Sequence, residues 1–239
     1  MNPNIAMSLD RADEIFNDLK REYDASLRSK SVSLRAVHYT HEVAERLRSV
    51  LDRLARAYWE THVKGDLSDE DCKRAHVYFP VVSDEHSFSS TMGRWRWKAV
   101  AAQHASIEAY LRSLQPYTNQ ANRWLDIINT LAFQSKHIDL VPQKRSESRR
   151  INVSNGGTSV SWDPSAVTFG GGVGTVFVAG APIDPRTQRI IPTTGVSETM
   201  EIWVNFIIDG HGVNALGFCR DACKSVRDIA NHFFTAYVI

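Results

Sequence analysis

Residues 31–63 read SVSLRAVHYTHEVAERLRSVLDRLARAYWETHV, and this stretch decides the fold. Its apolar residues recur at steps of three, four or seven: Val37, Ala44, Leu47, Leu51, Leu54 and Tyr58. An α-helix places residues with this spacing on one side, so the stretch predicts a long helix with a single packing stripe. Gly65 predicts the end of that helix, because glycine commonly follows a helix C-terminus.

Helical spacing recurs on both sides of this stretch. We predict a first helix that starts at Ser8 or Asp10 and runs to about residue 26, a third over 91–114 and a fourth over 119–137. The end of the chain repeats the three-four rhythm at Leu216, Cys219, Cys223, Val226, Ala230, Phe233 and Tyr237. Since this stripe has the same period as the second helix, we expect the last helix to pack back on the first ones.

A strand pattern replaces the helical one at residue 151. Residues 151–153 and 160–162 alternate on either side of Asn155–Gly156–Gly157, which predicts a hairpin. Residues 200–208 alternate between apolar and mixed positions, with Met200 and Ile202 on the apolar face. The sequence therefore predicts an α+β protein, a predominantly α-helical bundle with an inserted antiparallel β-rich segment. The expected division is a bundle over 1–145, a β-rich insertion over 146–212 and a returning helix over 213–239.

Composition narrows the possible environments and partners. The 239-residue chain is long enough to bury a core without a metal or disulfide. Its 28 basic and 27 acidic residues give a net charge of +1, so RNA binding would need a local cluster such as residues 144–150. The 3 cysteines lack zinc-ligand spacing and favour a reducing compartment. With no signal-peptide-like or membrane-spanning run, we expect a cytoplasmic protein without membrane contact.

Two groups of polar residues are candidates for a shared site. Arg48 and Asp52 belong to a polar row beside the apolar stripe of the second helix, and such a row either lines a cleft or forms surface ion pairs. Lys136 and His137 close the fourth helix, where they either face the same cleft or simply complement the helix dipole. The glycine-rich run 170–174 lacks the Gly-Lys-Ser/Thr of a nucleotide loop, so no cofactor is predicted, nor is a metal.

Arg227 and His232 form a second candidate pair. Their spacing resembles the Arg-x(4–6)-His signature of HEPN-type ribonucleases, in which arginine and histidine meet the scissile phosphate. Guanidinium can hold a phosphate while imidazole transfers protons near neutral pH. Five helical residues separate their directions by about 140°, so a shared site needs a helix end or a homodimer interface.

Several motifs together resemble a widespread, uncharacterised family of bacterial helical proteins. The order of these motifs fits over roughly residues 35–140: Glu45–Arg53, Phe79–Pro80, Phe88, Ile107–Glu108, Gln115–Tyr117 and Lys136–His137. Arg46 and Arg53 stand where that family has asparagine and histidine. The resemblance implies a helical fold and a bacterial or phage origin.

Two functions follow as hypotheses from these features. The preferred one is a non-catalytic binding or scaffold protein that forms a homodimer or meets a protein partner through the β-rich segment. Four tryptophans outside the apolar stripes favour it, since interfaces are rich in this residue: Trp95, Trp97, Trp162 and Trp203. The alternative is a HEPN-like ribonuclease or effector of a bacterial defence or toxin system.

Overall fold

The computed structural model describes residues 2–29, 32–97, 101–137 and 140–237, without the side chains of residues 26–29, 135–137, 201 and 203. The helices are α1 (Pro3–Ser29), α2 (Leu34–His62), α3 (Asp69–Arg74), α4 (Glu85–Gly93), α5 (Ala105–Ser113), α6 (Trp124–His137) and α7 (Ala215–Ala236). The strands are β1 (Gln143–Asn155), β2 (Thr158–Trp162), β3 (Phe177–Val178), β4 (Ala181–Asp184), β5 (Arg189–Ile190), β6 (Ser197–Ile208) and β7 (Val213–Asn214).

The chain divides into two compact units. One, the helical unit, contains residues 1–144 and 207–239, and the other, the β-rich unit, contains residues 145–206. Every α-helix lies in the first unit, and the second is built from antiparallel strands. The predicted α+β fold, a helical bundle with a β-rich insert, is confirmed.

Helix α2 is the centre of the helical unit, where α1, α6 and α7 all pack against it. Its predicted stripe is buried: Leu47, Leu51 and Leu54 each have 0% exposure. Burying one leucine side chain contributes roughly 1.5–3 kcal/mol, so this stripe supplies much of the stability of the unit. Ser33 caps the helix by accepting the backbone N–H of Ala36 over 3.1 Å.

The predicted third helix over residues 91–114 is wrong. The structure instead has α4, which ends at Gly93, and α5, which begins at Ala105. Arg96 adopts a positive φ of 62°, which no right-handed helix contains. This turn directs the neighbouring Trp95 and Trp97 into the core, so packing of the large rings overrides the local helical pattern.

The predicted hairpin of the β-rich unit is confirmed. Strands β1 and β2 pair antiparallel from Ile151 opposite Trp162 to Asn155 opposite Thr158. The turn between them uses positive φ at Gly156 (53°) and Gly157 (95°), which glycine adopts without strain. The strand order of the larger sheet is β2-β1-β6-β7, and β3, β4 and β5 form a second sheet.

A small separate core lies inside the β-rich unit. Its buried members are Ile151, Val153, Trp162 and Ile183. The Trp162 and Phe169 rings meet edge to face with centroids 5.3 Å apart. Its core is therefore much smaller than that of the helical unit.

Candidate functional site

Two candidate residues of α2 bind the backbone of one residue in the connector that precedes α4. Arg48 donates from Nη2 to the Phe79 carbonyl over 2.8 Å, and the Asp52 carboxylate accepts the Phe79 N–H over 2.9 Å. Arg48 and Asp52 also pair with each other at 3.0 Å. Since Phe79 lies outside any helix or strand, these side chains satisfy both of its backbone polar groups.

The Arg48–Asp52 pair is partly buried rather than fully solvated. The Arg48 side chain is only 16% exposed. Burial lowers the pKa of its guanidinium, while the nearby Asp52 carboxylate opposes that shift. Within the described residues, Nη1 of Arg48 is buried without a hydrogen-bond partner. The geometry gives both side chains a structural use, namely holding the connector on α2.

Gln115 holds the same connector from the other side. Its Nε2 donates to the Pro80 carbonyl over 3.0 Å and to the Leu111 carbonyl over 2.8 Å. Its Oε1 accepts the Val82 N–H over 3.1 Å. The Gln115 side chain has 0% exposure, and all of these bonds lie in a buried or part-buried setting. One amide thus fixes three backbone groups at once.

Polar contacts extend this network to the start of α4. Arg112 donates from Nε to both carboxylate oxygens of Glu85, over 3.1 and 3.2 Å, and from Nη2 to Glu108 over 2.8 Å. The Tyr117 hydroxyl donates to Glu85 over 2.8 Å. Most of the motifs that carry the family resemblance therefore meet around residues 79–85. In this chain they form one network that supports the connector.

The predicted cleft residues of α6 cannot be added to this network. Lys136 and His137 belong to the last turn of the helix, but their side chains lie outside the described residues. A different histidine, His41, links α2 to this region: its Nδ1 lies 3.1 Å from the Leu131 carbonyl, and its Nε2 accepts the Val141 N–H over 2.9 Å. Burial lowers the pKa of His41, and because Nε2 accepts a hydrogen bond while Nδ1 faces a carbonyl, the neutral ring carries its proton on Nδ1.

The second candidate pair is not brought together within the chain. Arg227 forms ion pairs with Asp13 (2.6 Å) and Asp10 (3.4 Å) of α1. His232 instead lies against Tyr110 of α5, with ring centroids 4.0 Å apart. The two side chains leave α7 toward different neighbours, as their five-residue spacing predicts.

A buried tyrosine–histidine pair went unnoticed in the sequence. The Tyr58 hydroxyl and His104 Nδ1 are hydrogen bonded at 2.8 Å, and the Trp97 ring stacks on His104 with centroids 5.6 Å apart. Burial raises the pKa of Tyr58 to about 12 and lowers the pKa of His104, which nearby His62 lowers further. Among the described residues, Nε2 of His104 has no partner. Forty-six positions separate the pair, so no local motif reveals it.

Exposed apolar side chains concentrate on the β-rich unit. Among the described residues, it carries six of the ten large hydrophobic side chains that are exposed: Val160, Val167, Val173, Phe177, Met200 and Ile202. The tryptophans are not part of this surface. Trp95, Trp97 and Trp162 are 0%, 3% and 6% exposed, so their predicted role at an interface is wrong, while the side chain of Trp203 lies outside the described residues.

The basic run at residues 144–150 is partly paired with two carboxylates, those of Glu147 and Asp209. Lys144 pairs with Asp209 at 2.8 Å. Arg145 and Arg149 both pair with Glu147. These contacts weaken the run as a site for RNA, because paired cations attract a polyanion less strongly.

Comparisons of the chain with models of protein families, with curated proteins and with solved structures found no match. Within the described residues, no group of three or more His, Cys, Asp or Glu side chains is arranged to hold a metal ion. The helices of that same part of the chain are too short or too polar to cross a membrane.

Proposed function

We propose that the protein is a non-catalytic binding protein whose β-rich unit contacts a partner protein through exposed apolar side chains. The observation that carries this proposal is the surface of β6. Met200 and Ile202 are 37% and 52% exposed, whereas Phe206, two further steps along the same face, is 0% exposed. A face that is apolar from Met200 to Phe206 but buried only at its Phe206 end suits an interface whose other half is a second molecule.

Exposed apolar side chains also occur on other strands of the unit. Phe177 on β3 is 60% exposed, and Val160 on the edge strand β2 is 41% exposed. Charged groups accompany these side chains, including Arg189, which pairs with Glu198 at 2.6 Å. Apolar centres with charged rims are typical of protein–protein interfaces, which is why we choose a protein over RNA or a small molecule.

The contacts made by the candidate catalytic residues also support a binding role. Arg48 and Asp52 hold the Phe79 backbone, and Arg227 holds α1. A catalytic group must reach substrate, and these three already have partners that explain their presence. The HEPN-like ribonuclease remains the alternative hypothesis, resting on sequence resemblance alone.

Affinity capture with two matched charge substitutions tests the proposal. Ile202→Glu places a charge on the exposed part of β6, and Leu34→Glu does the same at a 79% exposed apolar position of the helical unit. We expect wild-type protein and Leu34→Glu to retain the same cellular protein, and Ile202→Glu to lose it. Circular dichroism and a thermal melt confirm that both variants fold. Equal retention by all three proteins would contradict the proposal.

A cleavage assay separates the proposal from the alternative. Wild-type protein is incubated with RNA beside His232→Ala and His137→Ala, and we expect no cleavage above the buffer control in any sample. Cleavage by the wild type that either substitution abolishes would establish a ribonuclease and refute a purely binding role.

A further inference from the structure

We propose that the helical unit has a binding site for a phosphate-bearing ligand in a groove between α1 and the outer side of α2. Two open cavities of about 380 and 570 Å³ form this groove, and both are lined by Asn4 and Arg53. Four arginines contribute to their walls: Arg11, Arg46, Arg53 and Arg56. This site lies on the helical unit and is independent of the partner surface proposed for the β-rich unit.

Two of the four arginines are neutralised inside the groove. Arg56 pairs with Glu60 at 2.7 Å, and Arg11 pairs with Glu14 at 2.8 Å. The remaining carboxylate of the lining, Asp10, is 3.4 Å from Arg227. Each of the three acidic residues that line the groove is thus paired with an arginine, Glu14 and Glu60 inside the groove and Asp10 with Arg227.

The other two arginines keep their charge available. Arg53 donates to Ser8 Oγ over 2.8 Å and to the Asn4 carbonyl over 3.4 Å, and both acceptors are neutral. In the described parts of the chain, neither Arg46 nor Arg53 has a carboxylate within ion-pair distance. Two exposed guanidinium groups therefore line the groove without an ion-pair partner among the described residues.

The arrangement of these groups suits phosphate. Arg46 and Arg53 are seven residues apart on α2, so they lie on the same side of the helix, about 10 Å apart along its axis. A guanidinium group donates two parallel hydrogen bonds to phosphate oxygens, and it loses its hydration more readily than an ammonium group does. The first turn of α1, which lines the same groove through Asn2 and Asn4, adds the positive end of a helix dipole.

Isothermal titration with two probes tests the site: inorganic tripolyphosphate and a ten-nucleotide oligouridylate, both at low salt. The variants are Arg46→Ala and the double substitution Arg46→Ala with Arg53→Ala. The control, Arg74→Ala with Arg220→Ala, removes the same charge from exposed arginines outside the groove. We expect the double variant to bind at least about tenfold more weakly and the control to match the wild type, because charge-assisted hydrogen bonds contribute strongly.

The pattern across the probes identifies the source of the phosphate. Loss of both probes in the double variant supports a site for phosphate groups in general, and loss of the oligouridylate alone supports a polynucleotide backbone. Arg46 makes no hydrogen bond within the described residues, so we expect the Arg46→Ala variant to fold as the wild type does. This single substitution should weaken binding several-fold. The proposal fails if neither probe binds the wild type at millimolar concentration, or if the double variant binds as the wild type does.

Discussion

The Asp52 carboxylate accepts the backbone N–H of Phe79 over 2.9 Å, across 27 residues of sequence. Arg48 completes the arrangement by donating to the carbonyl of the same residue. One turn of α2 thus supplies a donor and an acceptor to a connector residue that has no strand or helix partner of its own. These two side chains fix the path of the connector on α2.

Removing the Asp52 carboxylate should destabilise the protein. Asp52→Ala leaves the Phe79 N–H and the Arg48 guanidinium without this acceptor, and we expect a loss of about 2–3 kcal/mol in the free energy of unfolding. Asp52→Asn keeps an oxygen acceptor and should cost roughly half as much. Urea denaturation measures both, with exposed Asp24→Ala as the control. A change no larger than that of the control would show that the contact contributes little.

Substitutions of Gln115 test the same network, because one of them adds a charge and the other removes the amide while keeping the side-chain volume. Gln115→Glu places a carboxylate oxygen where the amide donates to the Pro80 and Leu111 carbonyls, so we expect a loss above about 3 kcal/mol near neutral pH. Gln115→Met keeps the approximate volume and should lose about 2 kcal/mol. The same measurement on exposed Gln103→Glu gives the baseline. If Gln115→Glu unfolds at the same urea concentration as the wild type, the described bonds are not stabilising.

Acid should destabilise the folded protein through its buried histidines. Burial lowers the folded-state pKa of His41 and His104 below the ordinary value of 6.5, so the unfolded chain takes up protons first as the pH falls. Their contribution is complete above pH 6.5 and declines below it, by at most about 1.4 kcal/mol per pH unit for each histidine.

Unfolding by urea at pH 7.5, 6.5 and 5.5 measures this dependence. His104→Gln removes one titrating group and should flatten the decline between pH 6.5 and 5.5, although the variant is less stable at every pH. Substitution of the exposed His86 provides the control for the loss of a surface histidine. Parallel curves for His104→Gln and the wild type would rule out His104 as a source of the acid sensitivity.

The cysteines should differ in reactivity. Cys219 and Cys223 are 0% and 7% exposed, and burial raises the pKa of Cys219 well above its ordinary value and that of Cys223 to about 12. Cys72 is half-buried. With a thiol reagent at pH 8, we therefore expect one rapid reaction in the native protein and three in urea. Cys72→Ser should abolish the rapid phase, and a persisting rapid phase would contradict the buried positions.

Local patterns in the sequence predict a long helix such as α2, but they do not predict where a helix is interrupted. The stripe through Leu47 and Leu51 predicts α2 because its period is that of the helix and it is sustained over many turns. The break between α4 and α5 escapes prediction, because it depends on where Trp95 and Trp97 find space in the core. That information lies in other segments of the chain.

The sequence identifies two members of the polar network but not the residue that they bind. Spacing places Arg48 and Asp52 on one side of α2, yet it does not reveal that Phe79 is their partner. The Tyr58–His104 pair carries no local signal at all. Apolar alternation in β6 identifies the face that includes Ile202, but only the fold determines which end of that face remains exposed.

Site-specific photo-crosslinking at position 202 tests most directly whether the β-rich unit contacts a partner protein. A photoreactive phenylalanine replaces Ile202 in one variant and Leu34 in another, and both are irradiated in the native cells. We predict a light-dependent adduct of defined mass at position 202 and none at position 34, with a mass that differs from twice that of the chain. No adduct at position 202, or the same adducts at both positions, would contradict the account, and an adduct of twice the chain mass would replace the partner protein with a second copy.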